Sequence, residues 1–169
     1  MKGYVLSVER VIETSPEVIF AVLADATKHH LIDGSGMLQG AVPQDGNDVA
    51  RRRLALGSTF GMSMKMFHLP YATVNRVVEF EENSRIAWQT GPTGFMGRLV
   101  AGRIWRYELL PADGGTLVRE SWDITPDHQR VLLKLGDIYS SKTRRDMART
   151  LERLSRVVTG VQGEASPPT

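Results

Sequence analysis

The chain has 169 residues, 41% of them hydrophobic and 24% charged, with a formal net charge of +2. That length suits one domain of roughly 100 to 200 residues able to bury a core without staples, and the composition excludes the disordered and low-complexity classes. The absence of cysteine excludes disulfides, zinc ribbons, iron–sulfur ligation and thiol catalysis.

Residues 4 to 13 read as a first strand, because Val5, Val8, Val11 and Ile12 are β-branched and turn-type residues bound the run. Thr14, Ser15, Pro16 and Glu17 then give a helix start: a hydroxyl cap, proline in the first turn, and a glutamate three residues after Thr14. Val18, Ile19, Val22 and Leu23 repeat at helical spacing, so this helix has one buried face and ends near Asp25, with a second short helix through Leu31. Residues 33 to 58 carry Gly34, Gly36, Gly40, Pro43, Gly46 and Gly57 and are the least regular part. Short strands are expected at Met37 to Val42 and around Arg53 to Leu56.

From Ser58 the period becomes two. Phe60, Met62, Met64 and Met66 share one phase; Val74, Arg76, Val78 and Phe80 share the next; Ile86 and Trp88, then Trp105, Tyr107 and Leu109, then Val118, Glu120, Trp122 and Ile124 continue the series. This pattern predicts an antiparallel meander with one face covered and one wet. After Pro126, and more clearly from Ser141, the spacing of Met147, Leu151, Leu154 and Val158 predicts a long helix that stops at Gly160. The expected division is one domain over 1–162 and a disordered tail over 163–169. An apolar helix stripe and an apolar sheet face must cover one another, so the helix lies across the concave sheet, and a cavity between them is natural.

The ordered series Glu13-Thr14-Ser15-Pro16-Glu17-Val18-Ile19-Phe20, Asn75-Arg76-Val77-Val78-Glu79-Phe80-Glu81 with Arg85-Ile86-Ala87-Trp88, and Trp105-Arg106-Tyr107-Glu108-Leu109-Leu110-Pro111 with Gly115-Thr116-Leu117-Val118-Arg119-Glu120-Ser121 resembles the SRPBCC, or START-like, superfamily. More narrowly it is similar to the bacterial polyketide cyclase/dehydrase and lipid-transport group. The resemblance implies an α+β helix-grip fold: a curved antiparallel sheet wrapped around a long C-terminal helix, with two short helices after the first strand. It also implies a cavity for a hydrophobic or aromatic small molecule. It designates no catalytic residue.

The expected cavity lining is Phe60, Met62, Met64, Met66, Arg76, Trp88, Trp105, Tyr107, Glu120, Trp122, Met147 and Leu151. The methionine stripe suits either a pocket for irregular apolar ligands or ordinary core filling. If the phases of Arg76 and Glu120 both point inward, a guanidinium and a carboxylate share the covered side, where each is expensive unpaired. They then form a ligand anchor, an acid/base pair or a structural ion pair; a register shifted by one residue would instead put them in solvent. Trp88, Trp105 and Trp122 stack on a polycyclic ligand or pack the core.

Of the four histidines, His29, His30, His68 and His128, no pair has metal-ligand spacing, so no metal is expected. His68 at the end of the methionine strand, and His30 with Asp33, reach a cavity mouth or the surface. Candidate catalytic groups are therefore Glu120, Arg76 and His68. The loop from Gly91 to Gly97, with Phe95 and Met96, suits a lid, a partner contact or a packed loop.

Basic clusters occur at Arg51, Arg52 and Arg53 and along the last helix at Lys142, Arg144, Arg145, Arg149, Arg153 and Arg156. Such a face meets an anionic partner or is a solvated exterior. The pI near 9.1 adds nothing, since few groups titrate between His and Lys. No nucleic-acid motif, phosphate loop or GxSxG elbow is present, so neither a nucleic-acid partner nor a cofactor is expected. No apolar run is long enough for a membrane span, and charge at Lys2, Glu9 and Arg10 comes too early for a signal peptide, so a cytoplasmic location is expected. The expected partner is a hydrophobic ligand of lipid, polyketide or isoprenoid type, bound or transported, with a homodimer left open. A cyclase or dehydratase activity and a chaperone-activator-like or ribosome-associated interaction module are the alternatives.

Overall fold

The structure, a computed structural model, describes residues 4–42, 53–66, 68–91, 102–127, 130–131 and 137–164. The elements run β1 (Val5–Ile12), α1 (Pro16–Leu23), a 3-10 turn (Ala26–Lys28), α2 (His29–Ile32), β2 (Leu38–Val42), β3 (Thr59–Met66), β4 (Leu69–Glu81), β5 (Arg85–Gly91), β6 (Ile104–Ala112), β7 (Gly115–Asp123) and α3 (Asp137–Glu164). The seven strands form one antiparallel sheet in the order β1-β7-β6-β5-β4-β3-β2, so the first strand closes the far edge beside the last. This is the expected α+β helix-grip arrangement.

Three local expectations change. Arg53 to Leu56 forms no strand; Arg53 makes an isolated backbone β-bridge with Asp25, while Leu54 N–H donates to the Ala24 carbonyl at 2.7 Å. The expected hydroxyl cap does not form: Ser15 holds the N-cap position of α1 with no side-chain cap hydrogen bond among the described residues, while the Thr14 carbonyl accepts from the Thr116 hydroxyl at 2.8 Å. Helix α3 continues through Gly160 and Gly163 to Glu164, because the α-helix tolerates an exposed glycine at a cost of about 1 kcal/mol. The rest of the expected tail, 165–169, lies outside the described residues.

The long helix buries the stripe that its sequence spelled out: Met147, Leu151, Leu154 and Val158 are each at most 2% exposed. Leu151, Leu154 and Val158 join one core with Ile19, Phe20, Val22 and Leu23 of α1 and the inner side chains of the sheet. Met147 joins a second cluster with Leu6, Trp122 and Ile124.

One strand departs from simple alternation in a way that matters for the site. In β4 the pairing with β5 shifts between Val77 and Glu79, a bulge in which Val78 is the extra residue. Before it, Thr73, Asn75 and Val77 point inward; after it, Phe80 does, its ring 5.3 Å from that of Phe20. Arg76 is therefore exposed on the outer face, opposite to its expected phase. That face is a charge lattice: Arg106 grips both Glu79 oxygens at 3.1 and 3.0 Å through Nε, and Arg119 donates to Glu9 at 2.6 Å.

Candidate ligand site

The inner face of the sheet carries the expected aromatic and thioether side chains, but in two groups. Trp88 stands between His29, stacked at 4.8 Å, Phe60 at 5.8 Å and Tyr107 at 5.5 Å. Trp105 and Trp122 pair across β6 and β7 with ring centroids 6.1 Å apart, beside Leu6 and Met147. Met62 is buried and Met64 packs half-buried against the same core, while of Met66 only the backbone is described.

Glu120 lies in the middle of this face. It pairs with Tyr107 on one side and with Val8 on the other, and it is 2% exposed. Its Oε1 accepts from the Tyr107 hydroxyl at 2.9 Å; its Oε2 is buried without a partner among the described residues, as is the indole Nε1 of Trp122 two residues along the strand. Burial pushes the Glu120 carboxyl up to about 8, the Tyr107 bond pulls it down, and the negative charge of Asp33 adds to the rise. Burial and the neighbouring Glu120 likewise raise the Tyr107 phenol well above its ordinary value. At neutral pH Glu120 is thus mainly an uncharged acid whose free oxygen carries a donor, the form that avoids the cost of an isolated buried charge.

The Asp33 carboxylate that acts on this pair closes the end of α2, accepting from Ser35 N–H at 3.0 Å and Leu38 N–H at 2.9 Å. Further along, the Thr90 hydroxyl donates to Asn75 Oδ1 at 3.1 Å, so Asn75 faces inward beside Thr73 while its neighbour Arg76 does not. An outward Arg76 makes the expected Arg76–Glu120 anchor geometrically impossible, and Glu120 finds Tyr107 instead. His68 is exposed in the β3–β4 turn at φ 68°, outside the covered face.

Histidine enters the site from an unexpected position. His29 is 4% exposed, and its Nε2 bonds the Leu23 carbonyl at 2.8 Å; a carbonyl only accepts, so Nε2 carries the proton. Burial lowers its pKa to about 4, which keeps the ring neutral. The sequence carries one signal for it, the i, i+3 spacing of His29 and Ile32 on the covered side of α2. Asn75 was legible only to a reading that allowed for the bulge.

Among the described residues no group of three His, Asp or Glu side chains forms a metal centre. A groove of about 380 Å³ beside the β4–β5 and β6–β7 turns is lined by Pro16, Leu109, Pro111 and Thr116 among others, and includes none of the expected cavity residues. The loop with Phe95 and Met96, the residues Arg51 and Arg52, and His128 lie outside the described residues.

The family model for polyketide cyclase/dehydrase and lipid transport matches residues 5–159, nearly the whole of this architecture. The chain belongs to that family. Among curated proteins the chain is similar to the uncharacterized protein Rv0088 of Mycobacterium tuberculosis strain H37Rv, 33% identical over 105 residues, which are 62% of this chain and 41% of that protein. The chain therefore matches less than half the length of that relative. Among solved structures, protein NE0264 from Nitrosomonas europaea superposes with a TM-score of 0.68 at 13% identity, covering 95% of this chain and 97% of the other. Protein CV1439 from Chromobacterium violaceum gives 0.63 at 16% identity, covering 92% and 96%. At such identities the likeness establishes the fold alone. No described helix is long and apolar enough to cross a membrane.

Proposed function

We propose that this protein binds a hydrophobic small molecule, of lipid, polyketide or isoprenoid type, between the inner face of the sheet and α3, and that Glu120 and Trp122 hold its one polar end. The observation that carries the proposal is the pair of buried atoms without partners among the described residues, Glu120 Oε2 and Trp122 Nε1, on successive inward positions of β7. Buried polar groups in folded proteins are nearly always satisfied, and a carboxyl placed among Val8, Val118 and Trp122 for packing alone would be a poor choice over leucine. With Glu120 protonated, both atoms are donors. They match an oxygen acceptor such as a ketone, ester or acid carbonyl on an otherwise apolar body. The aromatic and methionine walls supply the nondirectional part of the affinity.

A second reading has its own support. A carboxyl poised near the working pH beside a bound carbonyl is suited to general acid catalysis, which makes a cyclase or dehydratase step available to the same site.

Mass spectrometry of the denatured protein purified from its own host tests the first reading: an apolar compound bearing an acceptor oxygen should be released in stoichiometric amount. Paired Glu120→Leu and Trp122→Phe substitutions should lose that compound while keeping the fold. A protein that releases nothing, and that gains no thermal stability from any of a panel of fatty acids, polyketides and isoprenoids, would refute it. Glu120→Gln separates the readings, because it keeps a donor for binding but cannot transfer a proton. Unchanged affinity with lost turnover would establish the enzyme.

A further inference from the structure

The outward face of α3 concentrates positive charge that neither the core nor the proposed ligand site uses. Between residues 141 and 160 the helix holds Lys142, Arg144, Arg145, Arg149, Arg153 and Arg156 against Asp146 and Glu152, an excess of +4 in a chain whose formal total is +2. All six cations are exposed. With 3.6 residues per turn, Lys142, Arg145, Arg149, Arg153 and Arg156 fall within about 80° of the helix circumference, facing away from the buried stripe, over a length of about 21 Å. The two carboxylates flank this ridge: Asp146 pairs with Lys142 and lies 3.9 Å from Arg149, and Glu152 pairs with Arg156. Arg153 donates to the Asp33 carbonyl, and Arg145 has no ion pair among the described residues.

We propose that this ridge docks the protein on an anionic lipid bilayer. Segment 141–160 contains no aromatic residue, so the ridge has no platform on which the bases of a single-stranded RNA could stack. Its cations are interrupted only by small or acidic side chains such as Ala148, so it also lacks the apolar or aromatic anchors that carry protein–protein interfaces. A bilayer requires neither, since mobile anionic headgroups gather around a line of charge and each surface cation adds to the attraction. An apolar foothold lies alongside: Leu31 of α2 is 48% exposed, and the end of α2 is tied to the ridge through Arg153 and the Asp33 carbonyl. The docking has its purpose in the apolar-ligand reading, on which it rests: a water-insoluble molecule must be taken from and returned to a lipid phase, and the ridge sets the helix that covers the site against that phase.

Co-sedimentation of the full chain with vesicles of phosphatidylcholine, with and without phosphatidylglycerol, tests the proposal. Binding is expected to the mixed vesicles only, falling as ionic strength rises. Replacing Arg145, Arg149 and Arg156 together by glutamine should weaken it on the order of 100-fold, with circular dichroism and melting temperature unchanged. Absence of binding to the anionic vesicles at low salt, equal binding to neutral ones, or full binding by the triple variant would overturn the proposal. So would a gel shift of single-stranded RNA by protein that ignores both vesicles. The two readings fail separately. An apolar ligand found by mass spectrometry without vesicle binding removes the docking alone, and vesicle binding by a protein that carries no ligand removes the ligand reading alone.

Discussion

Glu120 owes its character to where the strand pairing puts it. Position 120 faces Tyr107 across β6 and Val8 across β1, so water is excluded on both sides and, among the described residues, the carboxyl's hydrogen bond comes from the phenol. That bond holds the carboxyl pKa down against the rise from burial and Asp33. Tyr107→Phe should therefore cost about 1 to 3 kcal/mol in a urea melt, because it leaves a second buried oxygen without a donor. It should also move the Glu120 titration, followed by carboxyl NMR, to still higher pH. Unchanged stability together with an unchanged midpoint would mean that the pair is not formed. Arg76 is the contrasting residue: exposed on the outer lattice, its change to Ala should stay within about 0.5 kcal/mol and leave ligand release untouched. The two residues looked equivalent in the sequence, each polar among apolar neighbours at period two. Only one is interior, because alternation fixes the face of a strand relative to its own neighbours and a bulge resets that relation without leaving a mark in the composition.

Among elements, the meander and α3 were legible because their periods run long: five strands at period two, and a stripe at 147, 151, 154 and 158 that the helix buries entirely. The connection between α2 and β2 was legible only as glycine-rich. Its geometry shows what the first glycine is for. A Cβ on Gly34 would sit 2.0 Å from the Asp146 carbonyl oxygen and 2.5 Å from the Thr150 nitrogen, while the Gly34 N–H donates to the Thr150 hydroxyl at 3.0 Å. The backbone of the connection thus lies directly on that of α3, and this close approach ties the helix to α2 and β2. Gly34→Ala should cost about 3 kcal/mol or more, since backbone cannot yield as a side-chain tip would. Gly36→Ala is the control. Gly36 has open space around it but a φ of 70°, so the substitution pays only conformational strain of about 1 to 2 kcal/mol. Equal losses in the two variants, read by thermal denaturation, would show that backbone conformation and not contact with α3 is what matters at position 34.

For the whole molecule, two neutral buried groups set opposing slopes of stability against pH. Glu120 keeps its proton in the fold up to about pH 8, whereas an unfolded glutamate releases it near 4.5; unfolding therefore releases a proton between these values, and stability falls as pH rises through that window. His29 stays unprotonated in the fold down to about pH 4, whereas an unfolded histidine binds a proton near 6.5; stability accordingly falls as pH drops from 6.5 towards 4. Between 4.5 and 6.5 the slopes oppose and nearly cancel, which gives a plateau. Above 6.5 the His29 slope no longer opposes that of Glu120, which runs at about 1.4 kcal/mol per pH unit and levels off near pH 8. On the acid side Glu79 steepens the fall, since Arg106 holds its carboxyl below the ordinary value. Glu120→Gln removes the alkaline slope and leaves the acid one, so its melting temperature should be flat from pH 6.5 to 8 while the parent protein's declines. A parent protein equally stable across that range would show that Glu120 is ionised in the fold. The ligand end would then have to be a hydroxyl donor to a carboxylate, with Trp122 alone left to receive a carbonyl.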